Sequence, residues 1–263
     1  MKENKFIKRD GQSTSKIFDD RTVESDYATL VPILKEGLSV LDVGCGTGAI
    51  SKGIARYVGA SGHVLGIDNT EYFIQAGREN YKSVANLELV HADLFGFEPQ
   101  EKFDLIVSAR VLQWLSNPKE ALARLKGMLK PGGQISILDY NHEDLEWKPD
   151  PPQSMLKFYQ TFLTWRAEAG MNNRMAEALP GYFKELGFHS IEVLNANEVY
   201  KNGEDNFKTK LGIWAKVAGS TQMVEEGYIK NEDRLIAIEE YSQWIETEAE
   251  SMTMKLKEVR GRI

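Results

Sequence analysis

A glycine-rich turn preceded by an acidic residue is the segment of the sequence best suited to chemistry. Gly44, Gly46 and Gly48 alternate in the stretch LDVGCGTGAI, and Asp42 stands just before them on an apolar run. Because glycine has no side chain, such a turn lets a ligand approach the backbone beside the N-terminus of a following helix. The segment therefore predicts a ligand-binding turn between a strand and a helix.

The turn alone leaves the identity of its ligand open. Gly44, Gly46 and Ala49 fit the G-x-G-x-x-G/A pattern of dinucleotide-binding turns, and Asp68 stands 20 residues beyond Gly48, where a ribose-binding acid belongs. The glycines read equally well as a G-x-G-x-G series. No lysine or arginine stands within the turn to bind a phosphate.

Cysteine and histidine do not form a recognisable metal or thiol site. Cys45 is the only cysteine, which excludes disulfides within the chain, zinc clusters and paired-thiol redox chemistry. It has no neighbouring histidine, so we predict a structural role for it rather than a nucleophilic one. His63, His91, His142 and His189 lack metal-ligand spacing, and we predict no metal site. Only His142 is expected just beyond a strand, at the sheet edge where ligands bind.

Short β-branched runs alternate with stretches of helical period from residue 39 onward. This alternation is typical of βαβ units around a parallel sheet. Strands are predicted over 39–43, 63–67, 87–91, 103–108, 134–139 and 251–259, with one more beginning at 189. Helices are predicted after the first strand, with Ile50, Ile54 and Val58 facing the sheet, from Asn117, and over 175–188 and 231–250. Residues 130–133 are predicted as a turn.

Two regions outside this alternation are predicted to cover the site. An amphipathic helix is expected to begin near Thr22, with Tyr27, Leu30 and Leu34 at helical spacing. The insertion 141–173 brings prolines and then aromatic side chains, among them Tyr159 and Trp165. Such aromatics are compatible with the buried face of a helix and also with the lining of a substrate pocket, and the sequence leaves both open.

Five segments, in one order, resemble the successive motifs of the class I S-adenosylmethionine-dependent methyltransferases. They are LDVGCGTG, VLGIDNT, HADLF, FDLIVSARVLQWL and LKPGGQISI, all within residues 39–139. The resemblance implies an α/β fold: a Rossmann-like, seven-stranded, mostly parallel sheet in the order 3-2-1-4-5-7-6, with helices on both faces and a helical lid. It also implies S-adenosylmethionine as cofactor. Residues 1–38 would be an N-terminal tail and lid helix, and 39–263 the methyltransferase domain, with 141–173 contributing to the lid.

The same resemblance implies the cofactor contacts. The glycine turn would wrap the methionine portion with Asp42 orienting it, Asp68 would accept from the ribose hydroxyls, and Asp93 would accept from the adenine amino group. An aspartate such as Asp93 is also suited to capping a turn. The full implied set is Asp42, Gly44, Cys45, Gly46, Gly48, Asp68, Asn69, Asp93, Leu94, Ser108, Ala109 and Arg110.

The methyl acceptor is not identified by these motifs. Gln113 and Trp114, in ARVLQWL, lie in a stretch that resembles the trans-aconitate methyltransferases and also methyltransferases of quinone biosynthesis. Together with His142, Tyr159 and Trp165 they are the candidate substrate-binding residues, and no catalytic residue is predicted. Arg110 is equally compatible with pairing to an anionic acceptor and with pairing to a surface acid.

The composition and charge of the chain limit the classes of molecule that it is expected to bind. The chain has 263 residues, 42% of them hydrophobic, which favours one domain with an elaboration. A net charge of -7 without one basic face argues against nucleic acid or an anionic membrane and favours a small-molecule acceptor. No signal-like segment or apolar run of membrane-spanning length is found, so we expect a cytoplasmic protein. The oligomeric state is not predicted.

Two other functions remain as alternatives to methyl transfer. One is a non-catalytic S-adenosylmethionine-binding protein, for which a decayed motif would be expected. The other is an NAD-dependent oxidoreductase, which needs a pyrophosphate contact and a proton relay that the sequence does not display. Because all five motifs are intact, the sequence predicts a methyltransferase that moves a methyl group to a small molecule by in-line displacement.

Overall fold

A single mixed sheet of eight strands organises the chain. The computed structural model describes residue 5, residue 7 and residues 21–263. The strands are β1 (Ser39–Val43), β2 (His63–Asp68), β3 (Leu87–His91), β4 (Phe103–Ala109), β5 (Leu129–Lys148), β6 (His189–Asn195), β7 (Glu198–Lys201) and β8 (Ser251–Arg262). Their spatial order is β3-β2-β1-β4-β5-β8-β6, and β7 also pairs with β8. β1 to β5 are parallel, whereas β8 runs antiparallel to its partners.

Helices cover both faces of the sheet. They are α1 (Val23–Asp26), α2 (Ala49–Val58), α3 (Glu71–Asn80), α4 (Pro118–Gly127), α5 (Gln153–Glu168), α6 (Met175–Glu185), α7 (Phe207–Leu211), α8 (Ile213–Ala218), α9 (Gln222–Glu225) and α10 (Asn231–Thr247). Short 3-10 turns occupy Ala28–Ile33 and Leu112–Trp114.

Two hydrophobic cores lie on opposite faces, because successive strand residues point in opposite directions. Val40 of β1 belongs to the core shared with α2, α5, α8 and α10, while its neighbour Leu41 belongs to the core shared with α4 and α6. The predicted stripe of Ile50, Ile54 and Val58 is buried in the first of these cores. The Rossmann-like fold expected from the sequence is therefore confirmed.

The sheet contains one strand more than the seven expected. The run after residue 189 splits into β6 and β7 because the Asn195 side chain accepts a hydrogen bond from the Asn197 backbone N–H at 2.9 Å, which forms a tight turn. The Asn197 side chain in turn accepts from the Leu256 N–H of β8 at 3.0 Å. Both strands consequently pair with different parts of β8.

β5 is much longer than the predicted 134–139. The predicted turn at 130–133 lies inside it, and so do residues 141–148, which were expected to open a lid insertion. After an irregularity between Asn141 and Glu146, the strand continues to pair with β8 as far as Lys148. His142 therefore lies within the strand, at this irregularity, and the expectation that it follows the strand was wrong.

The segment before β1 is a single helical turn rather than a longer helix. Thr22 caps α1, as predicted, by accepting the Ser25 N–H at 3.1 Å. The chain then tightens into the 3-10 turn Ala28–Ile33, which contains Pro32. Tyr27 and Leu30 are buried as expected. The predicted tail over residues 1–20 lies outside the described residues, apart from 5 and 7.

Candidate functional site

The glycine turn and the candidate acids meet at one edge of the sheet. The turn follows the carboxyl end of β1, Asp68 ends β2, and Arg110 follows β4, and these three strands are neighbours. Between β1 and β4 the direction of strand succession reverses, and open α/β sheets bind ligands at that point. The fold thus brings three of the predicted motifs to one crevice.

The turn is built from left-handed glycine backbone. Gly44, Gly46 and Gly48 have φ values of 71°, 58° and 83°, which L side chains rarely adopt. A Cβ on Gly44 would also come within 2.3 Å of the Val111 side chain. The hydroxyl of Thr47, in the same turn, is buried without a hydrogen-bond partner among the described residues. The turn therefore has a polar group left over for a ligand.

Asp68 holds this turn in place. One carboxylate oxygen accepts the Gly46 N–H at 2.9 Å and the other accepts the Thr70 N–H at 2.8 Å. The side chain is buried, with 4% exposure. Each carboxylate oxygen has a second lone pair, so Asp68 can bind the turn and still accept from a ligand hydroxyl.

A second acid lies beneath the turn. Asp42 accepts a 2.6 Å hydrogen bond from the Ser51 hydroxyl of α2. Burial raises the pKa of Asp42 to about 6, and the nearby charge of Asp68 adds to this effect. Desolvation likewise raises the pKa of the Cys45 thiol well above its ordinary value, which argues against a reactive thiolate there.

The third predicted motif behaves as a turn cap. Asp93 is exposed and its Oδ1 accepts the Phe95 N–H at 2.9 Å. Leu94 is buried, and its carbonyl accepts from Arg124 Nε at 2.9 Å.

The other implied cofactor residues lie at the ends of β2 and β4. Asn69 presents its carbonyl to His91 Nε2 at 3.2 Å, Ser108 donates to the Val43 carbonyl at 2.9 Å, and Ala109 ends β4.

Arg110 connects four segments at the end of β4. It has a φ of 63°, and its guanidinium donates to the Tyr140 hydroxyl at 2.8 Å and to the Asp26 carbonyl at 2.9 Å. It also forms an ion pair with Glu198 of β7. Glu198 is itself largely buried, so the partner of Arg110 is an interior acid and not a surface one. The Nη1 atom of Arg110 has no hydrogen-bond partner among the described residues.

A buried polar group beyond β4 joins three of the candidate substrate residues. Gln113 donates its backbone N–H to Asp139 at 3.0 Å, and its side-chain oxygen contacts His142 Nε2. The Tyr159 hydroxyl donates to the His142 carbonyl at 2.6 Å. Burial lowers the pKa of His142 well below its ordinary value, with the charge of Arg166 adding to the effect, so the imidazole is neutral at pH 7.

Aromatic rings surround this polar group. Tyr140 and His142 have ring centroids 5.1 Å apart, and Tyr159 lies 4.7 Å from Trp214 of α8. We define the aromatic cluster as Trp114, Tyr140, His142, Trp147, Tyr159, Phe162 and Trp214. Trp165 stacks on Phe162 but turns away, since its Nε1 donates to Glu226 at 2.8 Å. The structure therefore groups Gln113, Trp114, His142 and Tyr159 and places Trp165 behind them.

Sequence reasoning missed two residues of this group. Asp139 was assigned only as the end of a strand, although an acid at the carboxyl end of a parallel strand is a recognisable signal. Burial raises its pKa to about 7. Trp214 comes from a segment without any motif. It contacts the group because α8 packs against α10, and because α5 places its own aromatic rings beside Trp214. No local sequence pattern reveals this packing.

Comparison with known proteins decides the family. The family described as "Methyltransferase domain" matches residues 34–204. The demethylmenaquinone methyltransferase of Listeria welshimeri is 33% identical over 177 residues, covering 62% of this chain and 75% of that protein. The chain belongs to the methyltransferase-domain family. The resemblance to class I S-adenosylmethionine-dependent methyltransferases is thereby confirmed, and with it the cofactor.

Solved structures agree on the fold of this methyltransferase. An S-adenosylmethionine-dependent methyltransferase from Aquifex aeolicus superposes with a TM-score of 0.55 at 20% identity, covering 95% of this chain and 97% of that one. Phosphoethanolamine N-methyltransferase 2 of Haemonchus contortus, with S-adenosylhomocysteine and phosphomonomethylethanolamine, gives 0.57 at 18% identity. The match covers 90% of this methyltransferase but only 52% of the Haemonchus chain.

The described part of the methyltransferase contains no helix long and apolar enough to cross a membrane. Within the same residues, no group of three or more histidine, cysteine or acidic side chains is arranged to hold a metal ion. The predicted cytoplasmic location stays a prediction.

Proposed function

We propose that this enzyme transfers a methyl group from S-adenosylmethionine to a small-molecule acceptor held in the aromatic cluster. The observation that carries the proposal is the meeting of two groups at one sheet edge. The glycine turn and Asp68 lie at the ends of β1 and β2, Gln113 follows β4, and His142, which the Tyr159 hydroxyl contacts, lies at the irregularity within β5. A two-substrate reaction needs such adjacent sites.

The residues of the crevice fit the cofactor. S-adenosylmethionine carries an ammonium and two ribose hydroxyls but no phosphate, and the crevice offers the buried acids Asp42 and Asp68 and an unpartnered Thr47 hydroxyl. In this proposal the turn 44–48 and Asp42 hold the methionine end, and Asp68 with Asn69 holds the ribose. Asp93 and Leu94 would bind the adenine, and the backbone of 108–110 would complete the site.

The cofactor supplies an activated methyl group, so the protein chiefly positions the acceptor and excludes water. The aromatic rings would hold an apolar or flat body, and Gln113 would orient its polar end. Burial lowers the pKa of His142 well below its ordinary value, so its imidazole would be a weak base, and we assign it a positioning role rather than proton removal. Burial raises the pKa of Tyr159, which makes its phenol a poor base.

The domain division belongs to the same proposal. Residues 39–139 would bind the cofactor, while α1, the region 141–173 and α7 to α10 would cover the acceptor. α5, α8 and α10 share one hydrophobic core with the aromatic cluster, so the cover is packed onto the domain. One methyltransferase domain with an elaborated cover accounts for the whole described chain.

Calorimetry with S-adenosylmethionine, S-adenosylhomocysteine and NAD tests the cofactor site. We expect binding of the first two and none of NAD, and binding of NAD alone would favour the oxidoreductase. A panel of acceptors, including neutral naphthohydroquinones because of the menaquinone-pathway relatives, is then assayed for S-adenosylhomocysteine release. Tight cofactor binding with no turnover and no acceptor binding across the panel would favour the non-catalytic binder.

A further inference from the structure

A fully buried arginine without an acidic partner lies against the aromatic cluster. Arg166 of α5 has 0% exposure, and its guanidinium carbon is 4.4 Å from the centroid of the Trp114 ring. Burial lowers the pKa of Arg166 to about 10, which leaves the side chain charged at pH 7. A buried charge is costly unless an opposite charge or a full set of hydrogen bonds compensates it.

The partners of Arg166 do not supply that compensation. Its Nε donates to the Asn173 side chain at 2.8 Å, and its Nη2 donates to the backbone and side-chain oxygens of Gln113 at 2.9 and 3.2 Å. All of these acceptors are neutral, and none of the ion pairs among residues 21–263 includes Arg166. Its Nη1 is buried with no hydrogen-bond partner in the described chain.

Other buried arginines show what a structural role requires in this protein. Arg260 pairs with Glu258, and Arg110 pairs with Glu198 although its Nη1 has no hydrogen-bond partner among the described residues. Arg234 lacks an acidic partner, but its nitrogens donate to the Asn231 side chain and to the carbonyls of Ala218 and Gly219. Of these four arginines, Arg166 alone both lacks an acidic partner and leaves its Nη1 without a hydrogen bond, so a structural clamp between α5 and Gln113 does not account for that atom.

The nearest acidic influence on Arg166 comes from Asp139, which is already engaged. Its two oxygens accept the backbone N–H groups of Gln113 and Tyr140 at 3.0 and 2.9 Å. The charge of Asp139 favours the charged form of Arg166. Among the described residues, however, no hydrogen bond or ion pair joins the two side chains. One positive charge with a free N–H group therefore remains beside the rings of Trp114 and Phe162.

We propose that Arg166 binds an anionic group of the methyl acceptor, a carboxylate or a phosphate attached to an apolar or aromatic body. This inference rests on the proposed function and deepens it, because it assigns the acceptor a negative charge. Guanidinium N–H groups bind carboxylate and phosphate oxygens strongly when water is excluded, and the adjacent rings suit a flat neighbour. A neutral quinol would leave the Nη1 atom unpaired.

Binding of simple anions tests the assignment without any turnover. The full chain loaded with S-adenosylhomocysteine is titrated with benzoate and with benzamide, its neutral counterpart. We expect benzoate to bind at least ten-fold more tightly. Acetate and inorganic phosphate, compared with chloride at equal ionic strength, are then expected to raise the unfolding temperature in a saturable way, and the stronger of the two identifies the kind of anion.

Variants separate Arg166 from general charge effects. Arg166→Met is expected to weaken benzoate binding at least ten-fold and to abolish the saturable stabilisation, while Arg234→Lys retains both. Arg166→Gln, which can keep hydrogen bonds to Asn173, provides the same comparison if the methionine variant does not fold. Equal anion binding by wild type and the Arg166 variants, or no anion binding by wild type, overturns the inference.

These results stay distinct from the test of methyl transfer. A protein that binds S-adenosylmethionine and benzoate but methylates nothing refutes the proposed function alone. A protein that methylates only neutral acceptors refutes the role of Arg166 alone.

Discussion

At the scale of single residues, Asp68 has one observed role in the glycine turn and one proposed role toward the cofactor. Its carboxylate orders the glycine turn through the Gly46 N–H and is the proposed acceptor for a ligand hydroxyl. Asp68→Ala is expected to weaken cofactor binding by about 1–3 kcal/mol, because a buried donor loses its acceptor. Calorimetry with S-adenosylmethionine measures the loss.

Asp104 supplies the control for Asp68. It also accepts a backbone N–H, from Ser39 at 2.9 Å, but at the opposite edge of the sheet. Asp104→Ala is expected to leave cofactor affinity unchanged. An Asp68→Ala protein with wild-type affinity would remove Asp68 from the site.

Gly46 offers a second test at this scale. Valine at its φ of 58° is strained, and Gly46→Val is expected to abolish cofactor binding while the protein stays folded. Gly132 has a φ of 77° with nothing within 4 Å of an added Cβ, so Gly132→Val carries comparable backbone strain far from the site. Circular dichroism and calorimetry compare the two, and equal cofactor affinity in both would contradict the assignment.

The positions of residues in the fold were predicted correctly where a motif is local, while their contacts with a ligand stay predictions. The turn at 44–48 and the acid ending β2 could be read from spacing, because both depend on neighbouring residues in the chain. The proximity of Arg166 to Asp139 could not be predicted from spacing, since α5 and β5 are brought together only by the tertiary fold. The turn-capping interpretation of Asp93 describes its observed bond to Phe95, and its contact with adenine stays a prediction.

At the scale of elements, the buried pair of Arg110 and Glu198 ties the end of β4 to β7. Glu198→Gln is expected to lower the free energy of unfolding by about 3 kcal/mol, because it leaves the Arg110 charge uncompensated in the interior. Urea denaturation measures this loss. Glu185→Gln, which breaks an exposed pair with Lys119, is expected to cost less than about 1 kcal/mol. Similar losses in the two variants would refute a special role for the pair.

Strands β1, β2 and β4 were predicted closely because parallel strands in the interior of a sheet are nearly continuous apolar runs, whereas the edge strand β3 was predicted from its place in the alternation. The bounds of β5, β6 and β7 were not predicted closely, because all three strands pair with β8. β5 continues past residue 139 only because β8 pairs with it as far as Lys148, and the break between β6 and β7 depends on side chains of Asn195 and Asn197. The pairing of β5 with β8 has no local signature, whereas the turn formed by Asn195 and Asn197 is a local signal that the prediction missed.

At the scale of the whole molecule, two buried acids set a pH dependence of stability. Burial raises the pKa values of Asp42 to about 6 and of Asp139 to about 7, above those of the unfolded chain. The native state therefore holds protons that the unfolded state has lost, and these acids reduce stability as the pH rises from about 4 to about 7. Each pKa unit of difference is worth about 1.4 kcal/mol.

Asp139→Asn is expected to make this decline with pH shallower, whatever its effect on absolute stability. Urea denaturation of wild type and variant at half-unit intervals from pH 4 to 8 measures the two slopes. Parallel curves would show that Asp139 ionises alike in the folded and unfolded chains.

The position of β8 has a consequence for how the protein is made. β8 is inserted between β5 and β6, and it also pairs with β7, yet it follows all of them along the chain. During synthesis, the edges of β5 and β6 that pair with β8 stay unpaired while α7 to α10 emerge from the ribosome. The sheet is thus completed late, by a strand next to its β6 end, and a ribosome stalled before residue 251 would hold a chain with unpaired, aggregation-prone strand edges.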